Sequence, residues 1–290
     1  MKISPMLKTA CATGAGLIIA GGLSASAQTV VWSDNFPGSA GNLDTASTSG
    51  ITGVDGGTGG ALPQSAAVES TINGSGQLDL LSPGGSGSGD SGYIRFDTVG
   101  SSSSLYNWAA SPAASAITAA GGFSVSFNWT PANTTGSDWI YFAAGADPAD
   151  SFGYGYANVI WSANTASGII LANNGNVQTF HSNSSVASSG SFTPTLDNAL
   201  TLNYYFTSWA AGSPVTLTAT VNGTTVISGD SFTWNSAESG ANYLNLGSYQ
   251  ESNLIGPITI STVPEPGSWA MMAGGSGLLI VIRRLRRARA

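Results

Sequence analysis

Residues 123–130 read FSVSFNWT, and this octet decides the fold. Phe123, Val125, Phe127 and Trp129 alternate with Ser124, Ser126, Asn128 and Thr130. Successive side chains of a strand point to opposite faces, so a two-residue period describes a strand with one buried face. The same period returns in ALTLNYYF (199–206), where Leu200, Leu202, Tyr204 and Phe206 share a face. In VTLTATVNGTTVIS (215–228), Asn222-Gly223 lies between two β-prone runs, the strongest short hairpin signal. GIILANNGNVQTF (168–180) predicts a second hairpin around Asn174-Gly175. NYLNLGSY (242–249) and GPITISTV (256–263) read as further strands. No long amphipathic helix and no fixed-period repeat appears, which counts against a propeller or β-helix. Glycine- and serine-rich pieces at 38–60, 84–92 and 101–104 read as long loops. The expectation is an all-β chain with a single antiparallel β-sandwich over residues 28–262.

Charge narrows the function classes. The 290 residues carry 8 basic and 15 acidic side chains, a net charge of −7. Between 28 and 262 the sole basic residue is Arg95, against 14 acidic ones, a formal charge of −13. A surface this acidic repels phosphate backbones, so nucleic acid is excluded as a partner. Ser, Thr, Asn and Gly must supply the solvated surface, a palette suited to an extracellular β protein. The single cysteine, Cys11, excludes a disulfide framework from the sandwich.

The two ends carry addresses. Lys2 and Lys8 precede an uncharged, largely apolar stretch, Thr9 to Leu23, and Ala25-Ser26-Ala27 offers the small residues that signal peptidase reads. Residues 1–27 are therefore expected to be a signal peptide, helical in its apolar part and cleaved after Ala27. At the other end, Val263-Pro264-Glu265-Pro266 leads into 16 uncharged residues, Gly267 to Ile282. As a helix this run would be about 24 Å long, short for a hydrocarbon core of about 30 Å, although flanking arginines can snorkel. Arg283, Arg284, Arg286, Arg287 and Arg289 follow, and the positive-inside rule keeps them cytoplasmic.

Pro-Glu-Pro, an apolar segment and an arginine-rich terminus, in that order, resemble a PEP-CTERM sorting signal over residues 263–290. That resemblance implies a Gram-negative bacterium that makes exopolysaccharide. It implies a transient stop at the inner membrane through a short transmembrane helix. It further implies processing by an exosortase-type protease and delivery to the cell surface or extracellular matrix. The middle of the chain carries a second resemblance. WSDNFPG (32–38), GYIRF (92–96), FSVSFNWT, DWIYFAAG (138–145), the Asn222-Gly223 hairpin and GPITIS (256–261) follow one another as in a concanavalin A/laminin-G-type jelly roll. That family includes lectins, carbohydrate-binding modules and some glycoside hydrolases. It implies that the first and last strands pair, bringing Phe36 near Ile258.

Candidate chemistry was sought in this frame. A glycosidase needs two carboxylates at a set separation, and no E-x-D spacing occurs on a strand; Glu69, Glu238 and Glu251 are solitary. His181, the single histidine, reads as a strand end entering a polar loop, and no G-x-S-x-G elbow accompanies it. Asp147 and Asp150, with Asp138 nearby, offer oxygen ligands of the kind calcium takes, or simply a solvated turn. Aromatic rings can stack on sugars while amides and carboxylates bind hydroxyls. Trp139 and Tyr141 in SDWIYF, and Tyr154 and Tyr156 in FGYGYANVIW, are the candidate ligand-binding residues; core positions are the alternative for each. The expectation is a non-catalytic surface or matrix protein that associates with extracellular polysaccharide. A structural or adhesive protein binding other proteins is the alternative, and a glycoside-active enzyme comes third.

Overall fold

In the computed structural model, the residues described are 28–36, 41–42, 51–55, 71–80, 92–96, 108–136, 138–146, 165–182, 185–234, 243–249 and 253–263. They belong to one compact unit, Gln28–Glu265. In chain order the strands are β1 (Val30–Asp34), β2 (Gly41–Asn42), β3 (Ile51–Asp55), β4 (Thr71–Ile72), β5 (Leu78–Leu80) and β6 (Gly92–Phe96). A short helix, α1 (Ala114–Ala119), follows. Then come β7 (Gly122–Pro131), β8 (Trp139–Ala146), β9 (Ser167–Ala172), β10 (Asn176–Phe180), β11 (Val186–Ser191) and β12 (Asn198–Tyr205). The last are β13 (Pro214–Val221), β14 (Thr224–Thr233), β15 (Tyr243–Tyr249), β16 (Asn253–Ile255) and β17 (Ile258–Thr262).

These strands form two sheets, and every pairing is antiparallel. The ten-stranded sheet runs β14-β13-β12-β7-β16-β5-β4-β2, with β17 also on β7 and β1 on β17. The seven-stranded sheet runs β11-β10-β9-β8-β15-β6-β3. The octet 123–130 is the hub. β7 pairs over residues 122–129 with β12, and on its other side with β17 and then β16. Phe123, Val125, Phe127 and Trp129 enter the core, as do Leu200, Leu202, Tyr204 and Phe206 opposite them. From the facing sheet Ile140, Phe142, Ala144, Ile169 and Leu171 complete it. Burying such side chains stabilises by about 1.5–3 kcal/mol each, and this drives the two sheets together.

The first and last strands pair as the jelly-roll resemblance implied: Asp34 stands opposite Ile258, two residues from Phe36. Asn222 and Gly223 form the two-residue hairpin loop, both at positive φ, 51° and 76°. The second hairpin differs in detail. The Gly175 N–H donates to the Ala172 carbonyl at 2.9 Å, so Asn173 and Asn174 are the central turn residues. Gly175 follows at φ 90°, giving a three-residue loop in place of a two-residue one. The short helix α1 was not foreseen. It sends Ile117 into the core beside Phe206, Trp209 and Trp234, whose rings pack at 4.5 to 5.4 Å.

Val263 packs with the strands of the sandwich. Placed by the sequence at the head of the sorting segment, it is buried, and its N–H donates to the Gly122 carbonyl at 3.1 Å. The ordered strand contacts therefore continue one residue past 262. The rest of the sorting segment, with Pro264, Glu265, Pro266 and the five arginines, lies outside the described residues, as do Ala25 and Ala27. Among the described residues no helix is long and apolar enough to cross a membrane.

Candidate functional site

Where the chain crosses from β7 to β8, three polar side chains converge. Asn133 lies just past β7, Asp138 just before β8, and Asn173 just past β9. Antiparallel pairing of β8 with β9, Trp139 opposite Ala172, brings the last two together from 35 residues apart. Asn133 Oδ1 accepts from the Thr135 and Gly136 N–H groups at 3.0 and 2.9 Å, which folds the loop back on itself. Asn173 Nδ2 donates to Asn133 Oδ1 at 2.9 Å and to Asp138 Oδ2 at 3.2 Å, and its N–H donates to the Asp138 carbonyl at 2.8 Å.

Gly136 is required by this packing. A Cβ there would sit 2.9 Å from both Asn173 Nδ2 and Asp138 Oδ2. Asn173 is 1% exposed, yet its Oδ1 accepts no hydrogen bond. Leaving such an acceptor empty costs about 1–3 kcal/mol, which the fold carries beneath this loop.

The predicted aromatic residues divide. Trp139 adjoins Asp138, is half-buried, and meets the Tyr141 ring edge-on at 6.1 Å. Tyr141 is fully buried, so its ring has no open face for a sugar. It shares a strand face with Trp139, opposite to the core-facing Ile140 and Phe142. Its ring lies over Gly247 of β15, where a Cβ would come within 2.5 Å of ring atoms. Tyr154 and Tyr156 lie outside the described residues, as do Asp147 and Asp150, the calcium candidates. Among the described residues no group of three or more His, Cys, Asp or Glu side chains could hold a metal ion. The sequence reading missed Asn133 and Asn173. Asn173 was legible only as a turn residue, because its partner is 35 positions away.

His181 is placed just past β10, as expected, but it is not a free loop residue. Its Nε2 lies 2.7 Å from Asp230 Oδ2 on β14, and its ring packs against Phe232 at 5.2 Å. Ser188 of β11 donates to the other Asp230 oxygen at 3.1 Å. Burial alone would raise the Asp230 pKa. Hydrogen bonds from His181, Thr179 and Ser188, with the histidine's charge, outweigh burial and hold the carboxyl below its ordinary value. Ser188 bonds the carboxylate and not the imidazole, so these three are not ordered as a nucleophile–base–acid relay.

Exposed apolar side chains among the described residues, Val30, Val186 and Leu196, stand on different elements, and single exposed side chains of this kind need no partner.

The strand pairing and this rim cluster define an antiparallel two-sheet β-sandwich with a polar, tryptophan-flanked site at one end. Solved structures similar to the chain include the carbohydrate recognition domain of Emp46p, at 12% identity over 72% of this chain and 87% of that one, TM-score 0.38. A Lotus tetragonolobus seed lectin is similar at 10% identity over 74% and 100%, TM-score 0.40. So is a structure from work on endo-acting O-glycanases of the human gut microbiota that initiate mucin breakdown, at 10% identity over 81% and 99%, TM-score 0.46. At these values the likenesses carry no argument about function, and the architecture rests on the strand pairing. No protein-family model and no curated protein matches the chain.

Proposed function

We propose that the chain is an exported surface or matrix protein whose sandwich binds polysaccharide at the Asp138–Asn173 cluster without cleaving it. One observation supports this most: the Asn173 amide and the Asp138 carboxylate stand 3.2 Å apart, next to the half-buried Trp139. A carboxylate and an amide side by side suit adjacent hydroxyls, and the indole offers an apolar surface to a sugar ring. The cluster itself contributes one carboxylate, where hydrolysis of a glycosidic bond takes two. Export, an inner-membrane intermediate and exosortase-type processing rest on residues 1–27 and on the Pro264-Glu265-Pro266 tail.

The test uses protein purified from the producing bacterium and that bacterium's own exopolysaccharide. Tryptophan fluorescence and reducing-end release are followed together. A fluorescence change that Asp138→Asn and Asn173→Ala each weaken about tenfold or more, without new ends, is the expected result. New reducing ends would replace binding by catalysis. No change in either signal would overturn the reading.

A further inference from the structure

We infer that the ligand is an extended saccharide chain, and that it runs from the Asp138–Asn173 cluster over the end of β7 into a second polar site on the outer face of the ten-stranded sheet. The inference rests on the polysaccharide reading above. The second site is a groove of about 610 Å³, within the range of pockets that hold a ligand larger than one sugar ring.

The sequence builds this groove through a change of partner along β7. β17 pairs with residues 123–126 and β16 with residues 129–131. Gly256 and Pro257 bridge the interval, and the Gly256 N–H donates to the Asn128 carbonyl at 2.9 Å. A Cβ at Gly256 would press on the Asn128 Cβ at 3.3 Å, so the floor stays low. Asn128 and Thr130 point outward from β7 because Phe127 and Trp129 point inward. Asn35, Gln77 and Asp197 line the groove with them.

The walls are fixed before any ligand arrives. Phe36 adopts φ 52°, an uncommon value for a bulky residue, and its N–H donates to Asp34 Oδ1 at 2.7 Å. In the turn beside it, Asn73 Oδ1 accepts from the N–H groups of Ser75 and Gln77 at 2.9 and 3.0 Å. Preset walls lower the ordering cost of binding.

The lining selects the ligand. It carries amides, hydroxyls and one carboxylate, with no basic and no aromatic side chain. An anionic ligand would meet Asp197 with nothing to neutralise it. A neutral, hydroxyl-rich chain finds amide and hydroxyl partners there. Contiguity then joins the two sites. Thr130 lines the groove and Asn133 belongs to the cluster, three residues on, a span of at most about 10 Å. One saccharide chain can occupy both; a terminal sugar can occupy one.

The experiment takes the exported full protein and a size ladder made by partial acid hydrolysis of the producing bacterium's exopolysaccharide. Affinity is measured for each fraction by calorimetry. Affinity should rise with chain length and then level off. Asn128→Ala should weaken the long fractions about tenfold and leave the shortest binding fraction unchanged. Asn128→Trp, which fills the groove, should do the same. Asp138→Asn should weaken every fraction. Asn128 is exposed, and an unchanged melting temperature confirms that each variant folds. If short fragments bind through Asp138 but affinity ignores length, or both Asn128 variants bind long fractions as the wild type does, the chain inference is overturned and the cluster reading stands. If no fraction binds, both are overturned.

Discussion

His181 Nε2 and Asp230 Oδ2 lie 2.7 Å apart, and this contact ties together the two sheets at the edge where β11 of one meets β14 of the other. Asp230 is 7% exposed and holds His181 and Ser188 on its two oxygens. Its carboxyl pKa is lower in the folded chain than in an open one. Stabilisation from Asp230 is thus present above the ordinary carboxylate value and is lost as pH falls through the lower folded value. Thermal melts from pH 6 down to about pH 2 should show the wild type losing more stability than Asp230→Asn. At neutral pH the variant should be weaker by about 2 kcal/mol, since a charged acceptor is worth more than a neutral one. Parallel pH curves for the two proteins would remove the role assigned to this carboxylate.

Asp230 faces inward because β14 carries a bulge. Leu217 stands opposite Asp230 and Ala219 opposite Ile227, so Ser228 and Gly229 share one partner position. Gly229 has φ 73° with open space around a Cβ, so Gly229→Ala should cost only backbone strain, about 1–2 kcal/mol. Gly190 on β11 is the contrast. Its φ is ordinary, but a Cβ there would run into the Val226 carbonyl of β14. Gly190→Ala should therefore push the seam apart and cost more than Gly229→Ala. Chemical denaturation of both variants measures the order, and equal losses would deny the close approach of the two edges.

Legibility followed sequence distance. β7, β12 and the Asn222-Gly223 hairpin were readable because a two-residue period and a turn dipeptide are local signals. The glycine within the strand at 229 was also a local sign, of a bulge, and went unread. β2 and β4, at two residues each, are too short to carry any period. The contacts of the candidate site and of the sheet seam are the hard part. Asp138 meets Asn173 across 35 residues and His181 meets Asp230 across 49, and no local pattern announces either. Trp139 and Tyr141 carried the same aromatic signal in the sequence, and the fold leaves Trp139 half-buried and Tyr141 buried.

Gly136 tests the cluster in binding and in folding at once. A methyl group at 136 meets the ends of Asn173, Asp138 and Asn133, at 2.9, 2.9 and 3.2 Å. These are the tips of hydrogen-bonded side chains, those of Asn173 and Asp138 buried, so Gly136→Ala should cost about 1–3 kcal/mol in stability. Moving them breaks the cluster's hydrogen bonds, and exopolysaccharide affinity should fall about tenfold. Calorimetry and a thermal melt on the same sample decide it. A large loss of stability with affinity intact would make the cluster a structural brace.

Val263 sets where the tail can be cut. Removing 264–290 takes away Pro-Glu-Pro, the apolar run and the arginines, and leaves every described strand contact in place. That truncation should keep the wild-type melting temperature and lose surface retention, with the protein found in periplasm or medium. Removing 263–290 also takes a side chain that is 2% exposed and the N–H that bonds Gly122. That loss should cost about 2 kcal/mol, the worth of a buried valine, because Gly122 starts the hub strand β7. Cell fractionation and thermal melts on the two truncations test both halves. Unchanged localisation in the shorter cut would refute the sorting role. Equal stability in the two would put Val263 with the tail, where the sequence first placed it.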